Sequence, residues 1–181
     1  MIGIKKVEFE IEGICPLLMD KFNGDIKAKT EEEYKIEAEK KVYTDENGLP
    51  CIEASAIKAV IRSASSELGK KMEGKKNRQM VKAGVFIKPL FLTIGKKKRD
   101  SLRKDIVTRM GSGDKVTRVS TYRPQFNEWK CSGTMDLIAI EPEFVKQALE
   151  VGGYKYGLYG YRPEFGRFLV KKFNEVKKWI N

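Results

Sequence analysis

Between a helix-like segment closing near Leu149 and a strand-like one opening at Arg167 runs Gly152-Gly153-Tyr-Lys-Tyr-Gly157-Leu-Tyr-Gly160-Tyr-Arg-Pro-Glu-Phe-Gly166-Arg167-Phe168. Glycine admits positive φ and lets a backbone approach another backbone or a ligand closely. Such a stretch is neither helix nor strand, so it must be a corner, and the elements around it must be arranged to meet there. Its tyrosines supply stacking faces with polar tips and its arginines planar cations, a combination suited to a nucleic-acid backbone.

The elements leading to that corner read from their periodicity. Val7, Phe9 and Ile11 alternate with Glu8, Glu10 and Glu12, which makes Ile4 to Ile14 a strand with one apolar and one acidic face. Asp20 to Thr44 is polar and reads either as a long loop or as a strand pair with a short amphipathic piece. Asn47-Gly48 marks a turn. From Ser55, a candidate N-cap, Ile57, Ile61, Ala64 and Leu68 recur at helical spacing, and Gly69 is the expected stop. Gly69 to Lys82 reads as a basic surface segment and Gly84 to Ile94 as a strand whose Pro89 implies an edge or a bulge. Lys96 to Arg118 reads as a long projecting loop, and Val116 to Ile140 as a hairpin turning near Asn127 to Trp129. Glu141-Pro142-Glu143 opens a second helix, which Gly152-Gly153 is expected to end. Arg167 to Phe173 makes the last strand, and Glu175 to Asn181 a short tail helix anchored by Trp179. The order β-α-β-β-α-β predicts an α+β, ferredoxin-like or RRM-like antiparallel sheet with helices on one face and a basic insertion loop. Length predicts one domain over residues 1–181, with the insertion at about 95–118. The face of such a sheet left open by the helices is where RNA-recognition folds take bases.

Composition narrows the chemistry. The chain carries a formal charge of +11 and no histidine. That removes the commonest general base and the commonest zinc ligand. Between Ala54 and Lys130 stand 20 Lys/Arg against 6 Asp/Glu, while the rest of the chain is near neutral. A basic middle of this kind points to a polyanionic partner. Cys15, Cys51 and Cys131 are widely separated, in no metal-ligand spacing, and read as free thiols of a reducing, cytoplasmic compartment. No metal and no cofactor is implied. No stretch reaches the roughly 18 apolar residues of a membrane span, so no membrane is expected as partner. One echo stands out, since Tyr122-Arg123-Pro124-Gln125-Phe126 and Tyr161-Arg162-Pro163-Glu164-Phe165 share a Tyr-Arg-Pro-x-Phe core. It reads either as two similar corners packed on one another or as a shared means of holding phosphates.

Three segments resemble the RAMP superfamily of CRISPR-associated proteins, especially its guide-RNA backbone subunits. Val7 to Leu18 is similar to their first strand with its closing Pro-Leu-Leu. Gly48-Leu-Pro-Cys-Ile-Glu-Ala-Ser-Ala-Ile-Lys-Ala-Val-Ile-Arg62 is similar to the element opening their first helix, with Ala59 where a glycine is usual. Gly157 to Phe168 resembles their C-terminal glycine-rich loop. The chain is shorter than typical backbone subunits, and its Arg-Pro-Glu-Phe-Gly-Arg-Phe ending resembles compact relatives in phage and mobile-element genomes.

The resemblance implies that Ser55, Lys58 and Arg62 lie near a guide backbone. It places Gly157, Gly160 and Gly166, as structural glycines, and Arg167 in the loop at the sheet edge. The basic middle adds Lys96, Lys97, Lys98, Arg99, Arg109 and Arg118 as phosphate contacts. Tyr122, Arg123, Tyr161 and Arg162 join them from the two echoed corners, with Phe126, Trp129 and Tyr159 as further stacking candidates. Type III relatives use an aspartate after the first strand, which makes Asp20 and Asp25 the candidates for metal-assisted cleavage. The expected function is non-enzymatic binding of single-stranded RNA or DNA, with further copies or effector-complex subunits as partners. A RAMP-like endoribonuclease and an interaction protein that mimics or blocks a CRISPR effector subunit are the alternatives.

Overall fold

The computed structural model describes residues 3–22, 24, 28–69, 73–110 and 116–176. Its strands are β1 (Ile4–Gly13), β2 (Leu17–Leu18), β3 (Cys51–Glu53), β4 (Val85–Lys88), β5 (Phe91–Thr93), β6 (Ser101–Met110), β7 (Val116–Phe126), β8 (Lys130–Ile138) and β9 (Phe168–Glu175). Its helices are α1 (Glu31–Glu39), α2 (Ala54–Ser65), α3 (Gly74–Gly84) and α4 (Pro142–Lys155). The central sheet has the order β4-β8-β1-β9 and is antiparallel throughout. With α2 between β1 and β4, and α4 between β8 and β9, this is the expected ferredoxin-like α+β arrangement.

Burial follows the period-2 pattern of the strands. Val7, Phe9 and Ile11 of β1 lie opposite Met135, Gly133 and Cys131 of β8. They meet Ile57, Val60 and Ile61 of α2 and Val145, Ala148 and Leu149 of α4 in one buried cluster. The helix spacing of α2 therefore reflects a face pressed onto the sheet. Gly152 and Gly153 do not end α4 but lie within it, and they let it come close to its neighbours. A Cβ at Gly152 would stand 2.4 Å from Val60 Cγ1, and one at Gly153 2.5 Å from the Phe168 ring.

Several expectations are corrected by pairing. β7 and β8 do not form a hairpin: β8 pairs with β1 and β4, whereas β7 pairs with β2 and β6. The segment from Lys96 to Arg118 is not a loop in its described part. β6 runs antiparallel to β7 from Ser101↔Gln125 to Met110↔Val116, forming a two-stranded arm, and 111–115 lie outside the described residues. The basic segment before Gly84 contains α3. The strand expected from Gly84 to Ile94 breaks at Pro89, which has no N–H to continue a ladder, into β4 and β5, and these join different sheets. Ser55 is not a cap: Glu53 precedes α2 as N-cap without a side-chain hydrogen bond.

Within the polar stretch 20–44, Thr30 and Glu33 form a reciprocal capping box at the start of α1, the Thr-x-x-Glu signature of a helix start. All three cysteines are free, and burial pushes Cys51 up to about 11 and Cys131 to about 12. Trp179 and the tail beyond Val176 lie outside the described residues. Among the described residues no helix is long and apolar enough to cross a membrane.

Substituting Gly153→Ala should push α4 off β9 and destabilise the protein by about 1–3 kcal/mol. Urea unfolding measures this. Wild-type stability in that variant would contradict the close packing of α4 on Phe168.

Candidate nucleic-acid interface

The open face of the central sheet carries charges of both signs, with Lys6 opposite Asp136 and Lys130 opposite Glu12. Glu8, Glu10 and Glu12 alternate with the buried residues of β1, and Asp136 joins them from β8. Ion pairs cross this face from Lys172 to Glu8 at 2.8 Å, Lys171 to Glu12 at 3.2 Å and Lys88 to Asp136 at 2.8 Å. The Lys172 hydrogen bond holds the Glu8 carboxyl below its usual range. Lysines and carboxylates on this face largely neutralise one another, so it offers a phosphate chain few free cations.

The glycine-rich corner is a clamp. Gly157 and Gly166 have φ of 71° and 74°, and a Cβ at Gly166 would stand 2.0 Å from Leu158 O. Only glycine fits there. Backbone bonds run from Leu158 N to Gly166 O at 2.9 Å, Gly166 N to Pro16 O at 2.9 Å and Gly160 N to Leu18 O at 3.0 Å. The loop thereby grips the segment after β1. Tyr159 stacks on Tyr43 with ring centroids 4.6 Å apart, and its hydroxyl accepts from Glu53 N at 2.9 Å. That ring is not free for a base, and burial raises its pKa. Arg167 is half-buried, its Nε without a partner, and its guanidinium lies 5.9 Å from the Tyr154 ring. Arg162 is exposed, and Tyr161 is 42% exposed.

The two Tyr-Arg-Pro-x-Phe corners pack on each other. Arg123 lies 4.6 Å over the Tyr161 ring and donates to its hydroxyl at 3.1 Å. The same guanidinium donates to Asp20 at 2.8 Å and to Asp105 at 3.3 Å. Lys41, whose side chain is 7% exposed, pairs with Asp20 at 3.1 Å and donates to Thr121 at 3.2 Å. Arg103, opposite Arg123 in the arm, pairs with Asp105 at 3.0 Å and lies 4.7 Å over the Phe165 ring. Arg123 is thus committed to internal partners.

So are most cations at the base of the arm. Lys96 pairs with Asp100 at 3.0 Å, Arg99 with Glu39, and Lys104 with Glu31 at 3.3 Å. Tyr122 is buried and donates to Glu31; Phe126 and Trp129 are buried too, so none of the three offers a stacking face. Lys97, Lys98 and Arg118 are exposed and make no ion pair among the described residues. Arg109 is placed in β6 by its backbone pairing with Thr117. Of the two candidate carboxylates, Asp20 is held between Lys41 and Arg123, and Asp25 lies outside the described residues. No cluster of His, Cys, Asp and Glu suited to a metal occurs among the described residues.

The α2 surface is built differently. Ser55 and Arg62 are exposed along it. Lys58 lies over the ring of Phe86, a residue of edge strand β4 that is 43% exposed, at 4.9 Å. Burial, and then repulsion from Arg62, lower the Lys58 pKa. Neither cation makes an ion pair among the described residues, and Asp136, directly opposite Phe86 in β8, is paired with Lys88. Phe86 and the α3 cations Arg78 and Lys82 were not singled out in the sequence. The alternation of Val85, Phe86 and Ile87 is the signal that turns Phe86 outward.

No family model matches the chain, and no curated protein matches it in sequence. Among solved structures, it is similar to a chain in the cryo-EM structure of the Type III-B Cmr-beta bound to cognate target RNA. That match has a TM-score of 0.55 and 15% identity over 96% of this chain and 61% of that one. The present chain therefore spans less than two thirds of that neighbour. A looser likeness, with a TM-score of 0.46 and 11% identity, extends over 93% of this chain and 99% of Cmr6 from Pyrococcus furiosus. The Cmr-beta match is a likeness of fold alone.

Removing the carboxylate that serves both Lys41 and Arg123 should be costly. Asp20→Ala is expected to destabilise the protein by about 1–3 kcal/mol, a buried-pair cost discounted for partial exposure. Chemical denaturation checks it, and an unchanged unfolding midpoint would contradict the structural role of Asp20.

Proposed function

We propose that this chain binds single-stranded nucleic acid, RNA or ssDNA, as one RAMP-like domain with the β6–β7 arm as its insertion. The strand runs along the α2 surface and the β4 edge. The observation that carries this reading is Lys58 lying 4.9 Å over the exposed Phe86 ring, with Arg62 nearby and neither cation in an ion pair among the described residues. Single-strand grooves combine these two features, cations for phosphates and an accessible aromatic face for bases. Two like charges held together without a counter-charge are relieved when a polyanion arrives. Lys97, Lys98, Arg118 and Arg162, exposed and unpaired among the described residues, extend the positive field beyond this centre. The shared fold with a Cmr-beta chain solved in the presence of target RNA supports RNA as the first ligand to try.

Anisotropy titrations with single- and double-stranded RNA and DNA at several salt concentrations test the reading. Single strands should bind best, with affinity falling steeply as salt rises. Phe86→Ala should weaken binding by about 1–3 kcal/mol if the ring stacks a base, and Lys58→Ala should weaken it and flatten the salt dependence. Equal and negligible binding to all four ligands at low salt would sink the proposal.

A further inference from the structure

α3 is held against α2 by more than apolar contact. The buried Asn77 donates through Nδ2 to Ser65 O at 3.1 Å and Leu68 O at 2.7 Å, carbonyls at and just beyond the end of α2. A Cβ at Gly74 would stand 2.8 Å from Ser66 O, and one at Gly84 2.5 Å from Ile138 O. Both ends of α3 therefore sit directly on neighbouring backbone, and the helix has little freedom to shift.

Between the two helices lies a groove of about 340 Å³ lined by Arg62, Ser63, Arg78, Gln79 and Lys82. Arg78 and Lys82, four residues apart, share one face of α3, and Arg62 approaches from α2. Among the described residues no carboxylate lines the groove. Arg78 donates one guanidinium nitrogen to Ser66 Oγ at 3.2 Å, which orients its planar fork. Arg62 and Lys82 are exposed, and neither makes an ion pair among the described residues. At the base of the arm, by contrast, Lys96, Arg99, Arg103, Lys104 and Arg123 each have an acid.

We propose that this groove is a phosphate seat. Arg62, Arg78 and Lys82 hold one phosphate group, with Ser63 and Gln79 as neutral donors, and so fix the register of a strand passing Phe86. Arginine suits the task because its fork matches two phosphate oxygens at once. The seat rests on the strand-binding reading above and adds a defined anchoring point to it. The phosphate is either an internal diester or a terminal 5′-phosphate.

The test uses the full chain and one single-stranded oligonucleotide, prepared with a 5′-phosphate or a 5′-hydroxyl. Lys82→Gln and Arg78→Gln are each expected to weaken binding about tenfold, the loss of one charge-assisted contact. Each should also reduce the slope of log affinity against log salt by about 0.7, which a merely structural change would not do. Lys82 makes no side-chain hydrogen bond among the described residues, so its variant keeps the test valid even if Arg78→Gln loosens α3. A preference for the 5′-phosphate that both variants abolish identifies a terminal phosphate. Equal affinity for both ends, with the same loss in the variants, identifies a backbone phosphate. If both variants keep wild-type affinity and slope while the wild type still binds the strand, the seat is wrong and the binding reading stands. If the wild type binds no strand, both fall.

Discussion

Arg123 ties the arm to the rest of the molecule. Its guanidinium reaches Asp20 after β2, Asp105 across the arm and Tyr161 in the glycine-rich corner. Taking charges out of water is expensive unless each finds a partner in good geometry. Here the requirement is met by a closed set, since Lys41 shares Asp20, and Arg103 shares Asp105. The set draws on segments far apart in the chain, so forming it fixes where the arm stands relative to the sheet. The glycine corner must take its tight path for Tyr161 to arrive beneath Arg123, and Gly157 and Gly166 make that path available.

This cluster also decides where the protein's positive charge is free. The cations at the base of the arm look like phosphate ligands in the sequence, yet they are neutralised within the fold. On the open sheet face Lys88, Lys171 and Lys172 are likewise paired, with Asp136, Glu12 and Glu8. One side of the molecule, formed by α2, α3 and the β4 edge, combines cations in no ion pair among the described residues (Lys58, Arg62, Arg78 and Lys82) with the exposed Phe86 ring under Lys58. Net charge alone points to a polyanion; the pairing pattern says which surface would meet it.

Much of the architecture was legible from local pattern. The alternation around Val7, Phe9 and Ile11, the helical spacing of Ile57 and Ile61, and the Pro142 helix start each correspond to an element, and their order gives the fold class. β6 was not legible, because its inward face carries Arg103 and Asp105, which are held by ion pairs rather than by apolar burial. α3 was missed for a similar reason, as Val81 and Met80 are nearly its only apolar residues. Reading β7 and β8 as a hairpin followed from their closeness in sequence. The actual pairing is decided by the match of Met135 and Leu137 with β1, beyond the reach of local pattern. The same holds for the site. Lys58 and Arg62 could be named from the resemblance of their segment, but Arg123 could not be withdrawn from the ligand set without knowing that Asp20, 103 residues away, holds it.

The central claim is that a strand lies along the α2–β4 edge and not across β1, β8 and β9 on the open sheet face. Photocrosslinking with a thiouridine-substituted single-stranded RNA, followed by mass spectrometry of the protein, tests it most directly. Crosslinks at Phe86 and on peptides of α2 and α3 are predicted. Crosslinks concentrated on the outward residues of β1, β8 and β9 would contradict the account.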